Sequence, residues 1–196
     1  MAGRKTAKKV VFLDRDGVIN KFPGNGNYVT KIKEFHFIPG SIEAIRKLTQ
    51  AGYAIFVVSN QAGVGKGVYS QKKLDHITRN MIRAVKDQGG KIIKVFYCTH
   101  QSQEGCSCRK PRLGSVVKAL KMVGRPMGAA KDAFFVGDTQ IDIVTGLNSG
   151  CKTIFVLSGR EDRQYLRRWK IRPHHVAKNL LSATKIILNN ETTYSS

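Results

Sequence analysis

Short apolar runs alternate along this chain with longer stretches in which apolar side chains recur every three or four positions. Residues 9–13, 54–59, 92–97, 133–136 and 153–157 are the short runs, rich in Val, Ile and Phe. Each predicts a strand buried on both faces. Between them the period changes. Ile42, Ile45 and Leu48 share one face of a predicted helix over 41–51, which Gly52 stops. Leu74, Ile77, Met81, Ile82 and Val85 do the same for 70–88, ended by Gly89 and Gly90, and Val116, Val117, Leu120 and Val123 for 113–123. Shorter helices are expected over 141–148 and 180–188, with an edge strand at His175–Ala177. The charged segment 160–170 reads as a connection.

Strands alternating with helices predict parallel βαβ units with helices on both faces of the sheet. The expected fold is α/β: a single Rossmann-like three-layer α/β/α domain over 9–190, mainly parallel, behind a basic lead at 1–8 and before a tail at 191–196. In such sheets ligands bind at the carboxyl ends of the strands. The connections leave no room for a large cap domain, so the site should be open, shielded by short loops such as 24–28.

Composition narrows the class. Hydrophobic residues make up 41% of 196, enough for a core, and no apolar run approaches the roughly 20 residues of a membrane span. The apolar stretch Val10–Leu13 behind the basic lead is cut off by Asp14, too short for a secretory signal, so a cytoplasmic protein is expected. Lys and Arg number 34 against 13 Asp and Glu, a formal charge of +21 that attracts phosphorylated ligands and, non-specifically, nucleic acid. The excess is scattered, as on a solvated basic surface.

Chemistry concentrates at strand ends. Asp14 and Asp16 follow the first apolar run, two positions apart and so able to face one site in extended chain, with Gly17 turning the backbone away. Paired carboxylates suit a hard cation, nucleophilic attack and general acid–base work. This Asp-x-Asp-Gly pattern resembles the first motif of the haloacid dehalogenase superfamily. Ser59 after the second run resembles the second motif, Lys110 in Cys108-Arg109-Lys110-Pro111 the third, and Gly137-Asp138 with Asp142 the fourth. The resemblance implies Mg²⁺ held by Asp14, the backbone carbonyl of Asp16 and Asp138, with Asp142 in support. It implies Asp14 as nucleophile, Asp16 as general acid and base, and Ser59 with Lys110 on the phosphoryl oxygens. An Asp at position 16 fits phosphatases, since the ATPase relatives carry Thr there.

Cys98, His100, Cys106 and Cys108 are four zinc-type ligands around a Gly-containing turn, enough to close one structural, tetrahedral Zn²⁺ site in a loop running into Arg109 and Lys110. Cys151 stands apart as a small buried residue. With Asn20 and Ser59-Asn60-Gln61, this loop resembles the branch holding the D-glycero-D-manno-heptose-1,7-bisphosphate and histidinol-phosphate phosphatases. That likeness implies a small phosphorylated metabolite as partner, contacted by Arg109, Asn60 and Gln61, with Asn20 and Tyr28 closing over it. Thr139 stands where heptose enzymes often have Lys, and Lys66 where Arg is frequent. Removal of the 7-phosphate of the heptose bisphosphate is the leading expectation, by a monomeric enzyme. Histidinol phosphate, a nucleic-acid 3′-end and a non-catalytic scaffold are the alternatives.

Overall fold

The computed structural model describes residues 9–192, so the basic lead at 1–8 and the end of the tail, 193–196, lie outside the described residues. Six strands form one sheet: β1 (Val10–Leu13), β2 (Ala54–Asn60), β3 (Ile92–Cys98), β4 (Phe134–Gly137), β5 (Lys152–Val156) and β6 (His175–Ala177). Their order across the sheet is β3-β2-β1-β4-β5-β6, and every pairing is parallel. The expected edge strand is therefore real, and the sheet is parallel throughout.

Helices cover both faces. They are α1 (Ser41–Gln50), α2 (Gln71–Asp87), α3 (Gly114–Met122), α4 (Gln140–Asn148), α5 (Arg163–Arg168) and α6 (Leu180–Thr192). The alternation of side chains along β1 assigns the layers. Val11 and Leu13 meet Ile45 and Leu48 of α1, Met81 and Val85 of α2, and Leu180 and Ile187 of α6. Val10 and Phe12 meet Val116 and Leu120 of α3 on the other side. Because β1 is covered above and below, each of its four residues is fully buried, which is why its sequence is continuously apolar.

Two features lay beyond the sequence reading. The segment expected to be a connection contains α5, a short helix whose N-cap Asp162 accepts hydrogen bonds from Gln164 N and Tyr165 N. The final helix runs on to Thr192, past the end expected at 188. Between β1 and α1 there is a turn, a short antiparallel pairing of Asn20 with Phe37 and one 3₁₀ turn (Ile32–Glu34), not a cap domain. Among the described residues no helix is long and apolar enough to cross a membrane.

The chain leaves β1 towards β2 on one side and returns through β4 on the other. That reversal opens a crevice at the carboxyl ends of β1 and β4, where this topology binds ligands.

Candidate active site

Asp14 is the first residue past β1, and its N–H donates to Val136 O of β4 at 3.0 Å, which fixes it between the two central strands. Asp138 follows β4 directly. Thr139 and Asp142 then form a capping box that opens α4: Asp142 Oδ2 accepts from Thr139 N at 3.1 Å and Thr139 Oγ1 at 2.6 Å. The cap turns the other oxygen of Asp142 inward, where it accepts from Lys110 Nζ at 2.5 Å. The same ammonium donates to Asp14 Oδ1 at 2.8 Å. Lys110 is only 5% exposed.

The carboxylates of Asp14, Asp138 and Asp142 thus converge, one oxygen of each lying within 4.8 Å of the others. Burial pushes Asp14 above the ordinary carboxylate range, with Asp142 adding to it and Lys110 opposing. Burial also raises Asp138 well above that range, helped by Asp142 and Asp14. For Lys110, burial works against the charge, yet Asp14 and Asp142 outweigh it and hold the ammonium above its usual value. Three carboxylates facing one ammonium leave two formal negative charges in excess, which a divalent cation would balance.

The donor set fits such an ion. Asp138 Oδ1 is buried with no hydrogen-bond partner among the described residues, while its Oδ2 accepts from Arg160 N at 2.6 Å. Both oxygens of Asp142 are committed to Lys110 and Thr139, whereas Asp138 keeps one oxygen uncommitted. Gly17 and Gly159 flank the Asp138 carboxylate so tightly that a Cβ on either would overlap it.

Asp16 points elsewhere. Arg15 Nε and Nη2 donate to its Oδ1 at 3.1 and 2.9 Å, Arg15 Nη2 to its Oδ2 at 2.8 Å, Asn20 Nδ2 to Oδ1 at 2.8 Å and Gln61 Nε2 to Oδ2 at 2.7 Å. Arg15 itself is wholly buried. Burial disfavours its charge, but Asp16 and Tyr97, whose ring lies 5.5 Å away, raise its pKa further still. Sequence reading passed over Arg15 as the spacer between two acids. The available signal was a basic residue set between two acids directly after a continuously apolar run.

The remaining expected residues divide between wall and support. Tyr28, Asn60, Gln61, Arg109, Ser59 and Lys110 line a cavity of about 260 Å³ together with Asp14, Asp16 and Asp138. Asn20 is fully buried and lies behind that wall. Asn60 spends its amide on the backbone of Lys110. Gln61 is held from behind by the Tyr69 hydroxyl, which donates to its Oε1 at 2.8 Å. Arg160 and Glu161, unexpected from sequence, also line the cavity, and Glu161 Oε2 caps α4 by accepting from Gln140 N at 2.8 Å.

At the cavity's flank the four zinc-type ligands have come together. Cys98 Sγ lies 3.5 Å from Cys106 Sγ, which lies 3.5 Å from Cys108 Sγ; His100 Nδ1 is 3.7 Å from Cys98 Sγ and 3.3 Å from Cys108 Sγ. Arg109, immediately after the last of them, donates to His100 O at 3.2 Å.

Known proteins resemble this chain in sequence and fold. The HAD-hyrolase-like family model matches residues 107–183. The D-glycero-beta-D-manno-heptose-1,7-bisphosphate 7-phosphatase of Neisseria meningitidis serogroup B is 32% identical over 186 residues, covering 94% of this chain and 97% of its own. The D-glycero-alpha-D-manno-heptose-1,7-bisphosphate 7-phosphatase of Campylobacter jejuni is 34% identical over 163 residues, covering 83% and 90%. The crystal structure of the D,D-heptose 1,7-bisphosphate phosphatase from B. bronchiseptica, complexed with magnesium and phosphate, matches with a TM-score of 0.84 and 30% identity over 93% of this chain and 99% of that one.

Proposed function

The chain belongs to the haloacid dehalogenase-type phosphatases, in the group of the D-glycero-D-manno-heptose-1,7-bisphosphate 7-phosphatases, and from that premise we propose that it removes the 7-phosphate of that heptose bisphosphate through a phosphoryl group carried on Asp14. The observation that carries the reading is the convergence of the Asp14, Asp138 and Asp142 carboxylates, two of them paired with the Lys110 ammonium, in an open cavity.

Asp14 attacks phosphorus, and Lys110 and Ser59 take up equatorial phosphoryl oxygens. Asp16, protonated from solvent as it leaves Arg15 for the site, gives that proton to the departing sugar oxygen, then accepts one from the water that hydrolyses the acyl phosphate on Asp14. Asp14 and Asp138, with the backbone carbonyl of Asp16, would hold Mg²⁺, which supplies charge neutralisation between nucleophile and substrate. Arg109 and Tyr28, on the cavity wall, contact the rest of the substrate. Asn60, Gln61 and Asn20 serve it indirectly, by holding Lys110 and Asp16.

Cys98, His100, Cys106 and Cys108 would hold a structural Zn²⁺. Their spacing supports this, since about 2.3 Å Zn–S bonds in a tetrahedron put sulfurs roughly 3.8 Å apart. Metal analysis of purified protein should find about one zinc per chain; thiols that titrate freely without a chelator would refute it. The four free cysteines and the absence of disulfides among the described residues fit a reducing, cytoplasmic setting, and the single domain fits a monomer.

A hydrolysis panel with Mg²⁺ decides the substrate: both heptose bisphosphate anomers, fructose 1,6-bisphosphate, histidinol phosphate and a 3′-phosphorylated oligonucleotide. The heptose esters should lead, and Asp14→Asn should abolish turnover while the fold survives. Activity confined to the oligonucleotide would transfer the function to the second reading, which the formal charge of +21 and Arg160 on the cavity wall favour.

A further inference from the structure

Asp16 is surrounded by donors, and the polarity of one of them is set from outside the site. A glutamine amide can present either its oxygen or its nitrogen to a neighbour. Gln61 presents nitrogen, and one NH₂ group serves two functional side chains: Asp16 Oδ2 at 2.7 Å and Ser59 Oγ at 3.3 Å. Its oxygen is turned the other way, onto the Tyr69 hydroxyl at 2.8 Å. Tyr69 is 3% exposed, and its ring lies 6.1 Å from that of Tyr28 on the cavity wall. It is absent from the cavity lining and touches no reacting atom.

We infer that Tyr69 is a positioning residue for the acid–base step, fixing through Gln61 the direction of a hydrogen-bond chain that runs from its hydroxyl to Asp16 and Ser59. This rests on the function proposed above. While Asp16 sits on Arg15, Asn20 and Gln61, its charge alone orders the amide. When Asp16 turns to the leaving oxygen that constraint is gone, and the phenol keeps the Gln61 oxygen facing away. Without the phenol, the buried oxygen lacks a donor and the amide turns to find one. Its oxygen then faces the carboxylate's resting place and repels it, and Ser59 donates to the amide and not to the phosphoryl group. Burial keeps the phenol a donor across the working range, its pKa pushed up to about 12.

The test compares leaving groups. A sugar alkoxide needs a proton from Asp16 as it departs; 4-nitrophenolate does not. Because kcat/KM reports only steps up to phosphoryl transfer onto Asp14, the later role of Asp16 drops out. For Tyr69→Phe the ratio of kcat/KM for 4-nitrophenyl phosphate over the heptose bisphosphate should rise about tenfold or more, towards the larger rise of Asp16→Ala. Gln61→Met, which removes the donor to Asp16 outright, should also raise the ratio, and adding Tyr69→Phe to it should add nothing. An unchanged ratio in Tyr69→Phe, or independent additive effects, would overturn the inference. A folded wild-type protein that hydrolyses neither ester would overturn the function and the inference together. If Tyr69→Phe fails to fold, the ratio for Gln61→Met alone decides.

Discussion

Asn60 grips the backbone of Lys110 from both sides: its Oδ1 accepts from Lys110 N at 3.0 Å, and its Nδ2 donates to Lys110 O at 3.2 Å. The last residue of β2 therefore places the ammonium, and the long loop that carries Lys110 does not have to. Asn60→Ala leaves both backbone groups seeking partners. Expected are a stability loss of about 1–3 kcal/mol in urea unfolding and a fall in kcat larger than any rise in KM.

Lys110 also pairs with two of the three clustered carboxylates, Asp14 and Asp142. Lys110→Met removes the ammonium and leaves like charges facing one another. Breaking a buried pair in this way costs about 3–5 kcal/mol. Calorimetry should show a lowered Tm that Mg²⁺ raises more in the variant than in wild type, since the bare cluster attracts a cation more strongly. A variant indifferent to Mg²⁺ would count against the metal assignment.

Gly159 does not occupy the left-handed region, so its backbone accepts alanine, but the new methyl would overlap the Asp138 carboxylate. Gly159→Ala should therefore displace the one acid whose Oδ1 is buried without a partner among the described residues. The expected result is a half-saturating Mg²⁺ concentration raised by about 10–100-fold, read from activity against added metal.

Glu34 anchors the foot of the loop that walls the cavity. Its Oε2 accepts from Thr30 N at 2.9 Å and Thr30 Oγ1 at 3.0 Å, and its Oε1 lies 3.1 Å from Lys31 Nζ. The Thr30 N–H is the largest influence, and together these partners lower the Glu34 pKa to about 2. The folded value lies below the unfolded one, so this tie is fully present above roughly pH 4.3 and disappears as the pH falls through 2. The Glu34 carboxyl carbon should titrate near 2 by NMR, and Thr30→Val, which removes only the side-chain donor, should move the midpoint part of the way up. An unshifted midpoint in wild-type protein would contradict the contact.

The elements legible in the sequence are those whose burial is extreme. Val10 to Leu13 is apolar throughout because β1 is covered on both faces, and α2 shows its stripe because one face meets the core and the other meets water. Asp14 and Asp138 were legible because each follows such a strand directly. α5 was not: Leu166 is its only aliphatic residue, and it is held by the Asp162 cap and by Arg172, which donates to the carbonyls of Leu166 and Trp169. The division of labour among Asn20, Asn60 and Gln61 was hidden as well. All three are amides, and only the three-dimensional arrangement shows that Asn60 holds Lys110 while Asn20 and Gln61 hold Asp16. Arg15 was hidden for a related reason, since adjacent side chains normally diverge, and only a side chain this long can curl back onto Asp16.

Because β4 returns to lie beside β1, Asp14 and Asp138 come from distant parts of the chain and meet only when the middle of the sheet is complete. Catalytic competence is thus a property of the finished core and of no smaller piece. During renaturation, the onset of turnover would mark the docking of these two strands, which makes the enzyme its own clock for the final assembly event.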